Sequence, residues 1–283
     1  MSFVQILAAT PWLAWTSAVV LGLAVGSFLN VVIVRLPQMM HRAWQAQCAE
    51  LNGEAPAHER FDLAYPRSHC PACKHPIAWR HNVPVFSWLV LRGRCAHCRA
   101  PISVQYPLVE LAAAGLFAAC LARFGVSWAA LAAMGFCAAC LALAVIDLRT
   151  SLLPDALTLP LLWAGLFVNL WGLFAPLSHA VIGAMAGYGV LWAVYWIFRL
   201  ATGKEGMGYG DFKLLAAIGA WLGWLSLPLV MVAASLVGIV VAGGLLLLGR
   251  IRRGQPLPFG PYLAAAGVAG LLGGDAWAKL LAW

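Results

Sequence analysis

Charged side chains are scarce in this sequence, and carboxylates are the scarcest of them. Only 10% of the 283 residues are charged and only ten are acidic, whereas a soluble domain carries roughly 25% charged residues. Hydrophobic residues make up 63% of the chain, which is more apolar surface than a soluble fold of this length can bury. The composition therefore excludes an ordinary soluble domain and favours an integral membrane protein.

Apart from a segment near residues 107–124 that contains Glu110, the apolar residues fall in long uncharged runs, which are typical of membrane helices. They predict an all-α polytopic membrane protein with about eight transmembrane helices, near residues 11–34, 107–124, 127–146, 156–177, 180–198, 211–225, 226–249 and 256–274. The sixth is short, and a Ser-Leu-Pro break separates it from the seventh. The first run lacks a basic segment before it and a cleavage site after it, so we expect a retained helix and no signal peptide.

The basic residues predict the orientation of these helices. Residues 35–106 hold 9 of the 18 Lys and Arg, and an N-terminus outside places this loop in the cytoplasm. The later cytoplasmic connections then bring the count inside to 16 of 18, as the positive-inside rule requires. The C-terminus is then also outside, and the net charge of +8 reflects topology; we do not expect nucleic-acid binding, the other interpretation of a basic protein.

The loop 35–106 carries a repeated cysteine motif. The pattern C-x-x-C-[KR]-x-P-I begins at Cys70 and again at Cys95, and two facing turns of this kind present four thiolates tetrahedrally, as structural zinc prefers. The sequence therefore predicts a small cytoplasmic zinc-binding loop domain with Cys70, Cys73, Cys95 and Cys98 as ligands. Disulfides or a redox pair are the alternative, which a reducing cytoplasm disfavours. Further histidines of the loop are interpreted as surface residues rather than spare ligands: His69, His75, His81 and His97.

Carboxylates near membrane segments are functional candidates because a charge there is costly. Asp147 ends the third helix, where it opposes the helix dipole. Asp155 directly precedes the fourth helix and is most simply its N-cap. Asp211 opens the sixth helix after a Gly-rich turn, in which Gly208 and Gly210 allow close backbone approach.

Topology places Asp147 and Asp211 at the same cytoplasmic depth, which suggests acid–base chemistry on a peptide bond. N-capping is the alternative for Asp211, and pairing with Arg149 is the alternative for Asp147. Glu110 lies about one turn into the second helix, where pairing with a base of the loop or with a backbone amide is the simpler explanation.

Five segments together resemble the type IV prepilin peptidases, the leader peptidase/N-methyltransferases of type IV pilus and type II secretion systems. They are GSFLNVVIVRLP at 26–37, the paired C-x-x-C loop, YPLVEL at 106–111, IDLRTSLLPDALTLPLLWAGL at 146–166 and GMGYGDFKLLAAIGAWLG at 206–223. They run in family order across most of the chain, and Gly208-Tyr-Gly-Asp211 matches the G-x-G-D signature.

The resemblance implies a membrane aspartic endopeptidase that removes a short basic leader after a Gly from prepilins and pseudopilins. It also implies that S-adenosylmethionine then methylates the new N-terminal residue, usually Phe. The matching catalytic residues are Asp147 and Asp211, with Gly208, Gly210, Asp155 and Glu110 as candidate supporting residues. The implied location is a bacterial inner membrane, with a first helix at 1–34, the zinc loop at 35–106 and a seven-helix protease domain at 107–283.

Two other classes of protein stay open. A proton-coupled transporter would carry acids in the middle of its helices, whereas these acids stand at helix ends. A membrane thiol oxidoreductase would need reactive cysteines, whereas four zinc-bound thiolates are closed. No G-x-G-x-x-G turn follows a strand, so no residue is assigned to the methyl donor.

Overall fold

The protein is built from α-helices. The computed structural model describes residues 7, 9–53, 60–78, 83–204, 206–251 and 257–281. These residues form nine α-helices and no named β-strand: α1 Pro11–Leu51, α2 Phe86–Val90, α3 Gln105–Phe124, α4 Trp128–Thr150, α5 Asp155–Val168, α6 Leu177–Thr202, α7 Tyr209–Leu222, α8 Leu227–Leu247 and α9 Gly260–Leu281.

Several of these helices are long and apolar enough to cross a bilayer. Within the described part of the chain there are five, namely α1, α3, α4, α6 and α8 together with the turn before it. The helix α5 and its 3₁₀ extension, Asp155–Trp171, are shorter. The prediction of an all-α polytopic membrane protein is confirmed, and α1 and α3 to α9 correspond in order to the eight predicted helices.

The chain divides into two compact units, Met1–Val126 and Ser127–Trp283. In the first unit α1 packs along α3, and glycines let the two backbones meet. A Cβ on Gly22 would lie 2.6 Å from the Ala114 Cα, and one on Gly26 would lie 2.7 Å from the Glu110 Cα. Close approach through small residues is how membrane helices associate. The predicted domain limits at residues 34 and 106 stay a prediction.

Helix α1 continues 17 residues past the end of the apolar run, to Leu51. Charged residues end a hydrophobic run, but they do not end a helix; the helix stops only before Gly53, whose φ is 75°. Buried Arg35 fixes the following loop to α1 by donating to the carbonyl oxygens of Asp62, Leu63 and Pro66 at 3.0, 3.2 and 2.6 Å.

In the second unit α7 is the central helix. It packs against α5, α6 and α9, and several of its side chains are fully buried, among them Phe212, Leu214, Leu215 and Ile218. It ends at Gly223, whose φ of 77° breaks the helix before α8, close to the predicted break. The central position of α7 holds its first turn, which carries Asp211, in a fixed place.

Candidate active site and metal centre

The cysteine motif is repeated as backbone structure. The N–H groups of Cys70 and Cys95 donate to the carbonyl oxygens of His75 and Ala100, both at 2.9 Å. The residue after each second cysteine, Lys74 or Arg99, adopts a φ of 59°. Two equivalent turns 25 residues apart are what the sequence pattern indicated.

The two turns bring four cysteine sulfurs together. The sulfurs of Cys70, Cys73, Cys95 and Cys98 all lie within 4.8 Å of one another, and the Cys70 and Cys98 sulfurs are 3.8 Å apart. A tetrahedral site with zinc–sulfur bonds of about 2.3 Å has sulfur–sulfur edges of about 3.8 Å. The donor set and its spacing therefore fit a zinc ion.

The surroundings of the sulfurs favour a bound cation. Backbone N–H groups of Cys73 and Ala72 lower the pKa of Cys70 to about 6. The pKa of Cys98 rises to about 11, against the lowering effect of the Ala100 N–H, because partial loss of hydration and the neighbouring cysteine sulfurs oppose another negative charge. A cation removes this conflict and allows all four sulfurs to be thiolates.

The histidines of the loop do not join this cluster. The rings of His75 and His97 stack on each other with their centroids 4.3 Å apart, and the ring of His69 contacts the Arg67 carbonyl oxygen at 3.0 Å. His81 lies outside the described residues. Among the residues that the structure describes, the four cysteines are the one group of three or more potential ligands.

The second unit brings Asp147 and Asp211 together. Asp147 lies in the last turn of α4 and Asp211 in the first turn of α7, and both are buried. The backbone N–H of Gly260 donates to the Asp147 carboxylate, and that of Gly208 donates to the Asp211 carboxylate. The two carboxyl groups are close enough for their charges to interact.

One oxygen of this pair is left for an external partner. Among the described residues, Oδ1 of Asp211 has no hydrogen-bond partner although it is buried. A buried polar atom without a partner is costly, and such atoms are found where a substrate or water binds. The arrangement can hold a water molecule or a carbonyl group beside two carboxyl groups.

Leu153 packs between two glycines that stand next to the two aspartates. A Cβ on Gly210 would lie 2.7 Å from the Leu153 Cβ, and one on Gly260 would lie 2.6 Å from the Asp147 Oδ2. By contrast, a Cβ on Gly208 would meet nothing closer than 4.0 Å. Gly260 was not predicted, because nothing in the sequence distinguishes it from the other glycines at helix ends.

The predicted N-cap role of Asp155 is wrong. The N-cap of α5 is Pro154, in an extended conformation, and Asp155 is the first helical residue. Its two carboxylate oxygens instead accept hydrogen bonds from the Lys213 ammonium group, both at 2.7 Å. Lys213 was not predicted, because its partner lies 58 residues away; the pair ties the start of α5 to the helix that carries Asp211.

Glu110 is placed by a backbone amide, one of the two simpler explanations. Its Oε2 accepts a hydrogen bond from the Val85 N–H at 2.6 Å, and its carboxylate also bonds to the Ser27 hydroxyl group. These contacts all lie within the first unit. Their effect is to fix the residue before α2 against the side of α3.

Known proteins resemble this chain along nearly its whole length. Residues 20–124 match the bacterial peptidase A24 N-terminal domain, and residues 134–243 match the type IV leader peptidase family. Several relatives carry the name prepilin leader peptidase/N-methyltransferase. One from Burkholderia pseudomallei is 57% identical over 93% of this chain and 87% of its own. One from Aeromonas hydrophila is 54% identical over 94% and 92%, and one from Pseudomonas aeruginosa is 49% identical over 97% and 96%.

No solved structure matches the chain. The matched segments nevertheless contain both the four-cysteine cluster and the two buried aspartates, and the sequence identity extends over both structural units. The resemblance inferred from the motifs is therefore confirmed, and the chain belongs to the type IV leader peptidase family.

Proposed function

We propose that this protein is a prepilin leader peptidase and N-methyltransferase of a bacterial inner membrane. It removes the short basic leader of prepilins and pseudopilins after a Gly, and it then methylates the new N-terminal residue, usually Phe. The observation that carries the peptidase assignment is the pair of buried, interacting carboxyl groups of Asp147 and Asp211. The names of the relatives support both activities.

Asp147 and Asp211 are the proposed catalytic residues. One ionised carboxylate accepts a proton from water as the water attacks the scissile carbonyl carbon, and one protonated carboxyl group donates a proton to the leaving nitrogen. Two adjacent acids share a proton and titrate as a pair. The free Oδ1 of Asp211 is the atom best placed to hold the attacking water.

The glycines of the site have different proposed roles. The open space beside Gly208 lets the substrate backbone approach Asp211. Gly210 instead makes room for Leu153 of the protein itself. Asp155 supports the site from a distance, through its ion pair with Lys213.

Zinc bound by Cys70, Cys73, Cys95 and Cys98 is proposed to be structural. Four thiolates fill a tetrahedral ion and leave no open position for a substrate. The loop that they join is too small to hold a large core of its own, so metal binding supplies folding free energy. One Cys→Ser change should therefore lower both the metal content and the order of the loop.

The proposed topology places both termini outside and the loop 35–106, with Asp147 and Asp211, at the cytoplasmic face. The distribution of 16 of the 18 basic residues supports it. A leader that stays in the cytosol then meets the two acids at the membrane surface, while the apolar segment after the cut stays in the bilayer.

Methyl transfer is the second proposed activity, and S-adenosylmethionine supplies the methyl group. The accepting amine must be neutral, so the site has to disfavour its ammonium form by desolvation. No residue of the chain is assigned to the donor. If processed substrate carried an unmethylated N-terminus with the donor in excess, this half of the proposal would be rejected.

The test is mass spectrometry of a prepilin co-expressed with the wild-type protein, Asp147→Asn or Asp211→Asn. Each variant should abolish cleavage while retaining zinc and the folded state, because Asn keeps the shape of the side chain. Asp155→Asn serves as the matched carboxylate control and should cleave at a reduced rate. Cleavage near the wild-type rate in either of the first two variants would exclude the dyad.

A further inference from the structure

The short helix α2, Phe86–Val90, is attached to the side of a membrane helix. The Val85 N–H donates to Glu110 on α3 at 2.6 Å, and the Trp88 indole N–H donates to the Ile102 carbonyl oxygen at 3.2 Å. Just before the helix, the Val83 N–H donates to the Ser87 hydroxyl group at 3.1 Å. These bonds satisfy backbone and side-chain donors of a segment that is not itself a membrane helix.

The position of Glu110 on α3 and its neighbour on α1 give the depth of this attachment. Glu110 is the sixth residue of α3, so the Val85 contact lies about 7.5 Å along that helix from its start. Glu110 also faces Gly26 on α1, which lies eight residues, or about 12 Å, inside the uncharged run that ends at Val34. Both positions place the start of α2 within the slab that α1 and α3 cross.

Helix α2 exposes apolar side chains at this depth. Phe86, Leu89 and Val90 are 66%, 59% and 64% exposed, so three of its five residues present an apolar ridge. Soluble surfaces rarely gather such side chains without a partner. Leu108 on α3, at the same level, is also exposed, so the ridge continues an apolar surface that already faces the membrane.

Basic side chains follow the ridge. Arg92 and Arg94 are both exposed, and they come within four residues of the end of α2. An apolar face bordered by Lys or Arg is typical of elements that lie in the bilayer interface, and basic clusters there attract anionic lipids. No carboxylate lies between Asp62 and Glu110 in the sequence to oppose them.

We propose that α2 is a lipid-binding element: Phe86, Leu89 and Val90 enter the leaflet beside α3, and Arg92 and Arg94 bind the phosphate groups of anionic lipids. This leaflet is the cytoplasmic one if the proposed topology holds, but the insertion of α2 does not depend on that topology. The zinc loop is then held against the membrane surface by lipid contacts as well as by the chain. Glu110 then has a structural role: at membrane depth it accepts the hydrogen bond of the Val85 backbone N–H.

Photocrosslinking of the full-length protein in lipid nanodiscs tests the insertion. A benzophenone amino acid replaces Phe86 or Leu89, and lipid adducts are measured by mass spectrometry after illumination. Leu108 is the positive control on α3, and exposed Tyr65 on the loop of the same unit is the negative control. Phe86 and Leu89 should give adducts at a yield similar to Leu108, and Tyr65 should give few.

Lipid yields at Phe86 and Leu89 no higher than at Tyr65, or crosslinks to a second polypeptide in their place, would overturn the proposal. Prepilin cleavage by the same samples is measured in parallel, so that failure of the proposed function and failure of lipid insertion are seen separately.

The charge component has its own test. Nanodiscs of phosphatidylglycerol and phosphatidylcholine are compared for the wild-type protein and for an Arg92→Gln/Arg94→Gln variant, with the photoprobe at Leu89. The preference for phosphatidylglycerol should fall by about fivefold per arginine removed. An unchanged preference would overturn the assignment of these arginines to lipid phosphates.

Discussion

Gly260→Ala is a small change that acts directly on a proposed catalytic carboxylate. The Gly260 N–H donates to Asp147, and a Cβ at this position would lie 2.6 Å from the Asp147 Oδ2. Ordinary van der Waals contact begins at 3.4 Å, so the oxygen must move by about 0.8 Å. A misplacement of about 1 Å in an active site can cost 10²-fold in rate. We therefore expect kcat for prepilin cleavage to fall by roughly 10- to 100-fold.

The same substitution should change stability little. The atom that must move is the end of a rotatable side chain, and replacing Gly by Ala near a helix start gains up to about 1 kcal/mol. Overpacking would cost about 1–3 kcal/mol if the surroundings could not adjust. Here they can, because the carboxylate lies at the end of a rotatable side chain. We expect the free energy of unfolding to change by less than about 1 kcal/mol, with zinc retained.

Purified variants reconstituted in nanodiscs give kcat and KM from the rate of leader release. Gly208→Ala is the matched control, because the nearest atoms to a Cβ there lie 4.0 Å away and the φ of −84° at Gly208 suits any residue. Its effect should fall on KM, where the substrate backbone passes. Wild-type kcat in Gly260→Ala, or equal loss of kcat in Gly208→Ala, would refute the reasoning.

Three further changes test other contacts. Asp155→Asn and Lys213→Met should each lower the free energy of unfolding by less than about 1 kcal/mol, because the ion pair is partly exposed. The double variant should cleave no more slowly than either single variant. Additive losses in the cleavage rate would show that the two residues do not act through their ion pair. Cys70→Ser should lower the bound zinc, measured by metal analysis, and the zinc affinity of the wild-type protein should fall as the pH is lowered, because protons compete with the ion for the four thiolates. Gly22→Val should destabilise the first unit by about 1–3 kcal/mol, measured by thermal unfolding, because its Cβ would meet the Ala114 backbone; an unchanged midpoint would contradict the close packing.

Much of the fold followed from the sequence because membrane helices are local features. A run of uncharged residues predicts a helix without knowledge of its neighbours, and each of the eight predicted segments contains a helix. The cysteine cluster was equally local, because a duplicated turn already determines where its sulfurs point. The end of α1 was not, since Arg35 stops the hydropathy signal but not the helix, which continues to Leu51.

The contacts that shape the candidate site were beyond sequence reasoning because they join distant segments. Lys213 meets Asp155 across 58 residues, and Gly260 meets Asp147 across an even longer separation. A charge at a helix start has several local explanations, and the N-cap was the simplest one for Asp155. Only the position of Pro154 in the fold, together with a lysine on α7, replaced that explanation by an ion pair.

The buried acids of this protein share one feature and differ in another. Glu110, Asp147 and Asp211 each accept a backbone N–H, so a hydrogen bond to the main chain does not separate a catalytic acid from a structural one. The remaining contacts do. Glu110 also bonds to the Ser27 hydroxyl group, whereas Asp211 interacts with a second acid and keeps one buried oxygen without a partner among the described residues. A buried carboxylate oxygen that has no partner gains by binding a water molecule, and Asp211 is the one of these three acids that has such an oxygen in the part of the chain that the structure describes. On this ground Glu110→Gln, which keeps an acceptor oxygen for the Val85 N–H, should retain prepilin cleavage, whereas Asp211→Asn should lose it; loss of cleavage in Glu110→Gln with the zinc loop intact would show that its charge, and not its hydrogen bond, is what the enzyme needs.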